Sequence, residues 1–261
     1  FQAEDGIRDF CLSRGLGDVY KRQGYKSGGF NTSGTLDEPL RLFEPEILWN
    51  IELGWTVEFE KNDASLRALL FKMDRRDVQI STSIVRVRED GSSEFVEFTG
   101  NAAEGVNQGL ELEYAQRINE FVRLRASLGL LNTQYSGYNS PSGENLNGRD
   151  QAHAPSYQYA ASATFGGLSD WFGDITLQGQ DGFYFSDTHD FQSDAYCLVN
   201  LGLGRYIGDF EAHFWIKNLF DQEYSVRGFF FGNDPRTGYA DTGWTQMGNP
   251  RQFGISIRKD F

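Results

Sequence analysis

Long apolar runs are missing from these 261 residues. With no stretch of 18 or more apolar residues, the chain offers no candidate for a membrane-spanning helix. That test says nothing about a β-barrel, whose strands hide their hydrophobicity in alternation. Cysteine is nearly absent: Cys11 and Cys197 are the only two. Neither belongs to a CxxC pair or a zinc-ligand spacing, so no disulfide framework or metal staple can be argued. Cations are outnumbered, and the formal charge of −13 leaves no basic stripe to release counterions from phosphates. That argues against nucleic acid or an anionic membrane surface as a partner. The 6 prolines are few, and with 30 glycines and a 15% aromatic share they fit many strands joined by turns. A soluble β-protein and a membrane barrel satisfy these totals equally well.

The order of residues is more telling. Ile47, Trp49, Ile51, Leu53, Trp55, Val57 and Phe59 alternate with Leu48, Asn50, Glu52, Gly54, Thr56 and Glu58. A period of two means one strand with a greasy face and a mostly polar face. The run is longer than the usual soluble strand of about five or six residues and suits a tilted strand crossing an apolar layer of about 30 Å. Similar punctuation delimits further strands at 64–77, 104–118, 121–135, 156–165, 173–185, 195–206, 210–219 and 251–261, after the first at 47–60. Alternation is clear again in Val122, Leu124, Ala126, Leu128 and Leu130, and in Phe210, Ala212, Phe214 and Ile216. Alternation alone does not say whether the apolar row faces lipid or a dry core.

Connection lengths separate the two. Tight turns are expected at Asn62-Asp63, Asn119-Glu120 and Gly208-Asp209, with a modest one over 166–172. Long polar connections fall at 78–103, 136–155, 186–194 and 220–250, so short and long joints alternate along the chain. Short periplasmic turns and long extracellular loops are the asymmetry of an outer-membrane barrel. The fold expected is therefore all-β: an antiparallel transmembrane β-barrel fragment of nine to ten strands. Residues 80–88 and 95–98 are expected to form a hairpin rising above the membrane.

The long loops carry Tyr135, Tyr138, Phe183, Tyr184, Phe185, Phe229, Phe230, Phe231 and Trp244 among glycine, aspartate and asparagine. Such rings are candidates for stacking on a ligand; otherwise they form an interfacial girdle or pack loop on loop. Catalytic signatures are missing. His153, His189 and His213 are scattered, with no HExxH and no GxSxG to accompany them. Glu111 and Glu113 beside Arg117, and Asp187, Asp190 and Asp194 in one loop, read as solvated lumen or loop charges rather than acid/base pairs or a calcium site. No catalytic residue, metal or cofactor is assigned.

Residues 1–23, FQAEDGIRDFCLSRGLGDVYKRQ, follow no clear period and no signal-peptide plan. They closely resemble a translated sequencing adapter, so the native barrel domain is expected to span 24–261.

From Gly24 onward the chain resembles the C-terminal barrel half of TonB-dependent outer-membrane receptors. Residues 24–31, GYKSGGFN, are similar to a family block, as are Phe43-Glu44-Pro45-Glu46 and Glu52-Leu53-Gly54. Asn101-Ala102-Ala103, Gly105 and Gly109-Leu110-Glu111-Leu112-Glu113 resemble the family's NxxxGxxxGxExE strand. Ala154-Pro155-Ser156, Val199-Asn200-Leu201, Lys217-Asn218-Leu219-Phe220-Asp221 with Tyr224, and Gly248-Asn249-Pro250-Arg251-Gln252-Phe253-Gly254 follow in the family's order. Phe253, Ile255, Ile257 and Phe261 on one face of the last strand resemble the signal read by the barrel-assembly machinery, with Lys259 interrupting that face.

The resemblance implies a 22-stranded barrel filled by a plug. It implies a receptor in the outer membrane of a Gram-negative bacterium, surrounded by outer-membrane lipid. Such a receptor binds a scarce nutrient, a ferric siderophore or another large chelate, and imports it with energy from the TonB complex. No plug and no TonB-binding box are recognised here, so these residues alone are expected not to transport. A passive porin and an outer-membrane hydrolase, the latter resting on His213 alone, are the rival expectations.

Overall fold

The computed structural model describes residues 18–88, 90, 92–139, 145–167, 170–187, 189–232, 234–238 and 240–259. Its strands, in chain order, are β1 (Asp18–Lys26), β2 (Gly29–Phe30), β3 (Leu42–Phe43), β4 (Glu46–Phe59), β5 (Ala64–Val87), β6 (Ser93–Arg117) and β7 (Val122–Ser136). There follow β8 (Tyr157–Gly166), β9 (Trp171–Gln180), β10 (Tyr196–Ile207), β11 (Phe210–Lys217), β12 (Ser225–Phe231), β13 (Thr242–Met247) and β14 (Gln252–Lys259). Ten of them form one sheet in the order β1-β4-β5-β6-β7-β8-β9-β10-β11-β14, and β12-β13 and β2-β3 are separate hairpin pairs. Every pairing is antiparallel between neighbours, as in a barrel wall laid open with β1 and β14 at its edges.

The register shows what each face is made of. Trp55, Ala68, Leu112, Leu128 and Tyr159 stand opposite one another across five strands, and Leu53, Leu70, Leu110, Leu130 and Tyr157 make the next row. The same face continues through Ile175, Leu201, Ile216 and Phe253 to the last strand. The opposite face carries Thr56, Arg67, Glu113, Ser127 and Ala160, with Arg67 and Glu113 as an exposed ion pair at 3.8 Å. The apolar rows are not sealed inside: Ile51 is 48% exposed, and Ile255 71%. A face this apolar and this open is matched to lipid, and the polar face to a wet lumen. Gly109 on the lumen face is required by close approach, since a Cβ there would meet the Phe71 ring and the Leu130 carbonyl.

One end of the wall has only short joints. A 3-10 turn (Glu60–Asn62) closes on Asp63 in the left-handed region, φ 45°. Asn119 Oδ1 accepts from the Phe121 and Val122 amides, and Gly208, φ 60°, makes the last tight turn.

Where strands and expectations differ, the reasons are local. The connection expected at 78–103 is a continuation of the wall, because β5 and β6 stay paired up to Val87 and Ser93. Asp77, φ 51°, kinks β5 there, so that Val78 comes against Gly105 and packs inward. The connection expected at 220–250 contains the β12-β13 hairpin. The strand expected to reach Phe185 ends at Gln180, beyond which the chain turns into a loop that packs on itself and its neighbours. At the start, β1 takes in residues 18–23, pairing Asp18 with Gly54 through to Lys26 with Glu46. A ladder needs only backbone groups, so it tolerates almost any side chains at an edge. Phe261 lies outside the described residues.

Candidate ligand-binding rim

Opposite the tight turns, five long connections form a rim: L1 (27–45), L2 (78–102, the top of the β5-β6 hairpin), L3 (137–156), L4 (181–195) and L5 (218–251, carrying β12-β13). Among the described residues, most buried hydrophobic side chains lie in this layer or at its base, including Leu36, Val78, Val96, Phe98, Leu146 and Phe185.

Each loop is fastened to the next. Asn31 in L1 donates to the Thr99 carbonyl at 2.9 Å and accepts from the Thr99 amide at 2.8 Å, while Leu36 packs with Val96 and Phe98 of L2. Val78 and Ile80 of L2 share a core with Tyr135, Tyr138 and Leu146 beside and within L3. L3 is bound to L4 through Arg149, whose Nη2 donates to the Ser186 carbonyl at 3.1 Å and to the His189 carbonyl. The Ala152 amide and the Tyr135 hydroxyl both donate to Asp187, at 2.9 and 3.0 Å. L4 meets L5 where Phe185 covers Gly228 and Phe191 covers Gly243, with His189 and Phe230 ring centroids 5.5 Å apart.

Beneath L3 lies a buried polar network. Glu46, 2% exposed, accepts from Arg75 Nε at 2.7 Å, Lys26 Nζ at 3.1 Å and the Gln79 amide at 3.0 Å. Arg75 also donates to Gln151 Oε1 at 3.1 Å, and Gln151 Nε2 donates to Asn107 at 2.7 Å. Arg75 and Asn107 belong to the polar face, so L3 dips inward and caps the lumen side of β5 and β6.

The candidate rings divide into three sets. Tyr135, Tyr138, Phe183 and Phe185 are buried, packed loop on loop, and offer a ligand almost no surface. Tyr184 is half-buried with the Arg149 guanidinium 4.1 Å above its ring. Phe229, Phe230 and Trp244 are exposed and sit on β12-β13 with half-buried Phe231. A cleft of about 390 Å³ opens between L1, L2 and L3, lined by Leu40, Ile80, Phe98, Thr99, Tyr138 and Asn139. Burial and the charge of Asp187 push the Tyr138 hydroxyl up to about 12, so it stays a neutral donor. Burial, reinforced by Arg149, holds His189 below its ordinary value. Burial and then Asp181 raise the Asp150 carboxyl.

Arg149, Glu46 and Gln151 were not singled out as site residues by the sequence reading. Arg149 had one usable signal: it is the only cation between Ser136 and Pro155, followed by an aspartate-rich loop. Asp187 is a correction, since it is tied to L3 rather than solvated. His213 lies on the lumen face with Nε2 4.0 Å from Asp174 Oδ1, and among the described residues no hydroxyl is hydrogen-bonded to it. Lys259, which interrupts the apolar face of β14, lies over the Phe210 ring at 5.3 Å.

An open β-wall with a lipid-facing and a lumen face, short turns at one end and an interlocked rim at the other, is shared with known proteins. The family model described as TonB dependent receptor-like, beta-barrel, matches residues 13–219. The chain belongs to that family, whose members are transport receptors of the Gram-negative outer membrane. In fold it is similar to the ferric yersiniabactin uptake receptor FyuA from Yersinia pestis: TM-score 0.71, 21% identity, 94% of this chain and 35% of that one. It is also similar to the siderophore receptor PiuA from Acinetobacter baumannii: TM-score 0.66, 15% identity, 93% of this chain and 33% of that one. The ferric-catecholate import receptor Fiu from E. coli K12 matches with TM-score 0.62 and 16% identity, over 93% of this chain and 32% of that one. The chain thus spans about a third of the length of these solved receptors.

Proposed function

We propose that this chain is the C-terminal part of the barrel of an active-transport receptor that captures a scarce nutrient, a ferric siderophore or similar large chelate, and imports it with TonB-transduced energy. The observation carrying this reading is the family match over residues 13–219, on a wall whose rim loops are folded into one layer rather than left as separate strings. The rim cleft and the exposed rings of Phe229, Phe230 and Trp244 supply apolar surface for an aromatic or catecholate-bearing cargo. The native domain is 24–261, where every family block of the sequence lies, and residues 1–23, of which 13–23 fall within the bounds of the family match, derive from an adapter. Phe253, Ile255, Ile257 and Phe261 serve barrel assembly, and the outer rows meet outer-membrane lipid.

The test is genetic and biochemical. The locus is sequenced across Gly24 and the whole receptor is deleted and restored in its host. Iron-limited growth on ferric siderophores that depends on both the receptor and TonB supports the proposal. Uptake unaffected by loss of TonB would instead indicate a passive channel.

A further inference from the structure

Charge is divided unevenly between the two faces of the wall. From the row of Leu53, Leu70, Leu110 and Leu130 down to the tight turns, the outward positions among the described residues carry two charged side chains, Arg205 and Lys259. Both are cations. The carboxylates of the same stretch, among them Glu58, Glu111, Glu113, Asp174 and Glu211, stand on the lumen face. The formal charge of −13 thus conceals a small cationic patch on the lipid side. It lies beside the short turns, the periplasmic end of a barrel of this family. Arg205 pairs with Ala212, which pairs with Ile257, and Lys259 pairs with Phe210 one step nearer the turns. Each cation extends over a ring: the Arg205 guanidinium is 5.2 Å from the centre of Trp171, and Lys259 Nζ 5.3 Å from that of Phe210. Ala212, between them, contributes only a methyl group. Toward the membrane centre an apolar groove of about 500 Å³ opens on the same face, lined by Ala163, Phe165, Ile175, Leu203, Phe214 and Ile216. Leu203 is two residues from Arg205 on β10, so Arg205 stands at the lower mouth of the groove.

We infer that the groove and the two cations form a binding site for an anionic glycerophospholipid of the periplasmic leaflet, with an acyl chain in the groove and the headgroup phosphate between Arg205 and Lys259. The order of the parts follows the ligand, apolar toward the membrane centre and cationic at its boundary. Trp171 and Phe210 belong to the interfacial belt and hold the two long side chains at headgroup height, their stems along apolar surface and their charges toward water. A guanidinium takes two phosphate oxygens at once, and the ammonium adds a compact charge beside it. Two neighbouring cations with no carboxylate on their face raise each other's potential, which a headgroup of net negative charge relieves. A zwitterionic headgroup brings an ammonium of its own and relieves it less. The site belongs to the lipid face of the wall and is independent of the cargo and of the rim.

The experiment uses the whole receptor in vesicles of equimolar phosphatidylglycerol and phosphatidylethanolamine with identical acyl chains. The photo-reactive residue p-benzoylphenylalanine replaces Ile207, beside Arg205 and across β11 from Lys259, or, as a control, Phe59 at the same end of the outward face of β4. After irradiation and digestion, the lipid on each labelled peptide is identified by mass. Position 207 is expected to carry at least fivefold more phosphatidylglycerol than phosphatidylethanolamine, and position 59 near-equal amounts. Arg205→Gln together with Lys259→Gln is expected to bring position 207 to the ratio seen at 59. Ala163→Phe, which fills the groove and leaves both charges, is expected to lower the ratio at least twofold, whereas Arg125→Gln, on the lumen face, leaves it unchanged. Equal ratios at 207 and 59, or a preference at 207 that survives loss of both cations, overturn the site, and an unchanged ratio in Ala163→Phe overturns the part of the groove in it.

Discussion

Leu53, Leu70, Leu110 and Leu130 sit side by side in the wall, with Leu70 44% exposed, whereas Leu36 in the rim is 2% exposed. The same residue type thus serves two solvents. In the wall an apolar side chain is stabilised by lipid, so its neighbours matter little and its direction matters greatly. In the rim it is stabilised by packing against named partners from other loops, as in a soluble protein. Charge follows the same division: Arg67 and Glu113 are exposed on the lumen face, while Glu46 and Arg75 are buried together under L3. The wall therefore tolerates changes of size and rejects changes of polarity, and the rim does the reverse.

Removing one buried charge sharpens that contrast most. Glu46→Ala in the whole receptor leaves Arg75 without its carboxylate, a loss of about 3–5 kcal/mol for a buried pair broken on one side. Limited proteolysis of the surface-exposed loops is expected to become fast, while the barrel keeps its heat-modifiable mobility on gels. Next comes Leu36→Ala, with an expected loss of about 2–5 kcal/mol from the L1-L2 core. Leu53→Ala, facing lipid, should leave hydrogen exchange of the loops unchanged; equal effects at both sites would erase the distinction between rim and wall. Leu112→Arg on the outer rows is expected to cost about 2–4 kcal/mol in urea unfolding, and Ser127→Arg on the lumen face far less.

The smallest expected effect is that of acid on the rim. His189 is held below its ordinary value by burial and Arg149, so the unfolded or opened loop binds the proton more readily than the closed one. Stability from this group is present above about pH 6.5 and is lost as pH falls through the lowered value. Its Nδ1 also accepts from the Phe191 amide at 3.3 Å, a contact that protonation of Nδ1 removes. Lower hydrogen-exchange protection factors in L3 and L4 at pH 5 than at pH 7.5, after correction for the intrinsic pH dependence of amide exchange, with those of the wall unchanged and the difference abolished in His189→Gln, are the expected result.

What could be read from the amino acids alone divides along the same line. The wall was legible because lipid on one side and water on the other impose a period of two, as in Trp49, Ile51 and Leu53, and no distant residue has to be known. Most strand ends moved by a residue or two, but β5 runs on to Val87, β6 starts as early as Ser93 and β9 stops at Gln180; the β5-β6 hairpin was foreseen in part from 80–88 and 95–98. The kink at Asp77 and the β12-β13 hairpin were not foreseen, for a non-glycine residue in the left-handed region carries no local signature and Phe229 to Phe231 lack alternation. The rim was the least legible. Tyr135 meets Asp187, and Arg149 meets Ser186 and His189, across sequence separations that no pattern announces. The aromatic residues were expected there either to stack on a ligand or to pack loop on loop, and burial alone distinguishes Phe185, filling the space above Gly228, from Trp244 at the surface.

The 24 residues of β5 give the molecule its height. At about 3.3 Å per residue the strand runs roughly 80 Å, and even at a tilt near 45° it rises well over 50 Å, against roughly 30 Å of hydrocarbon. Its tip reaches far into the aqueous side, so a large diffusing body arriving from the medium meets this turret before it meets the mouth.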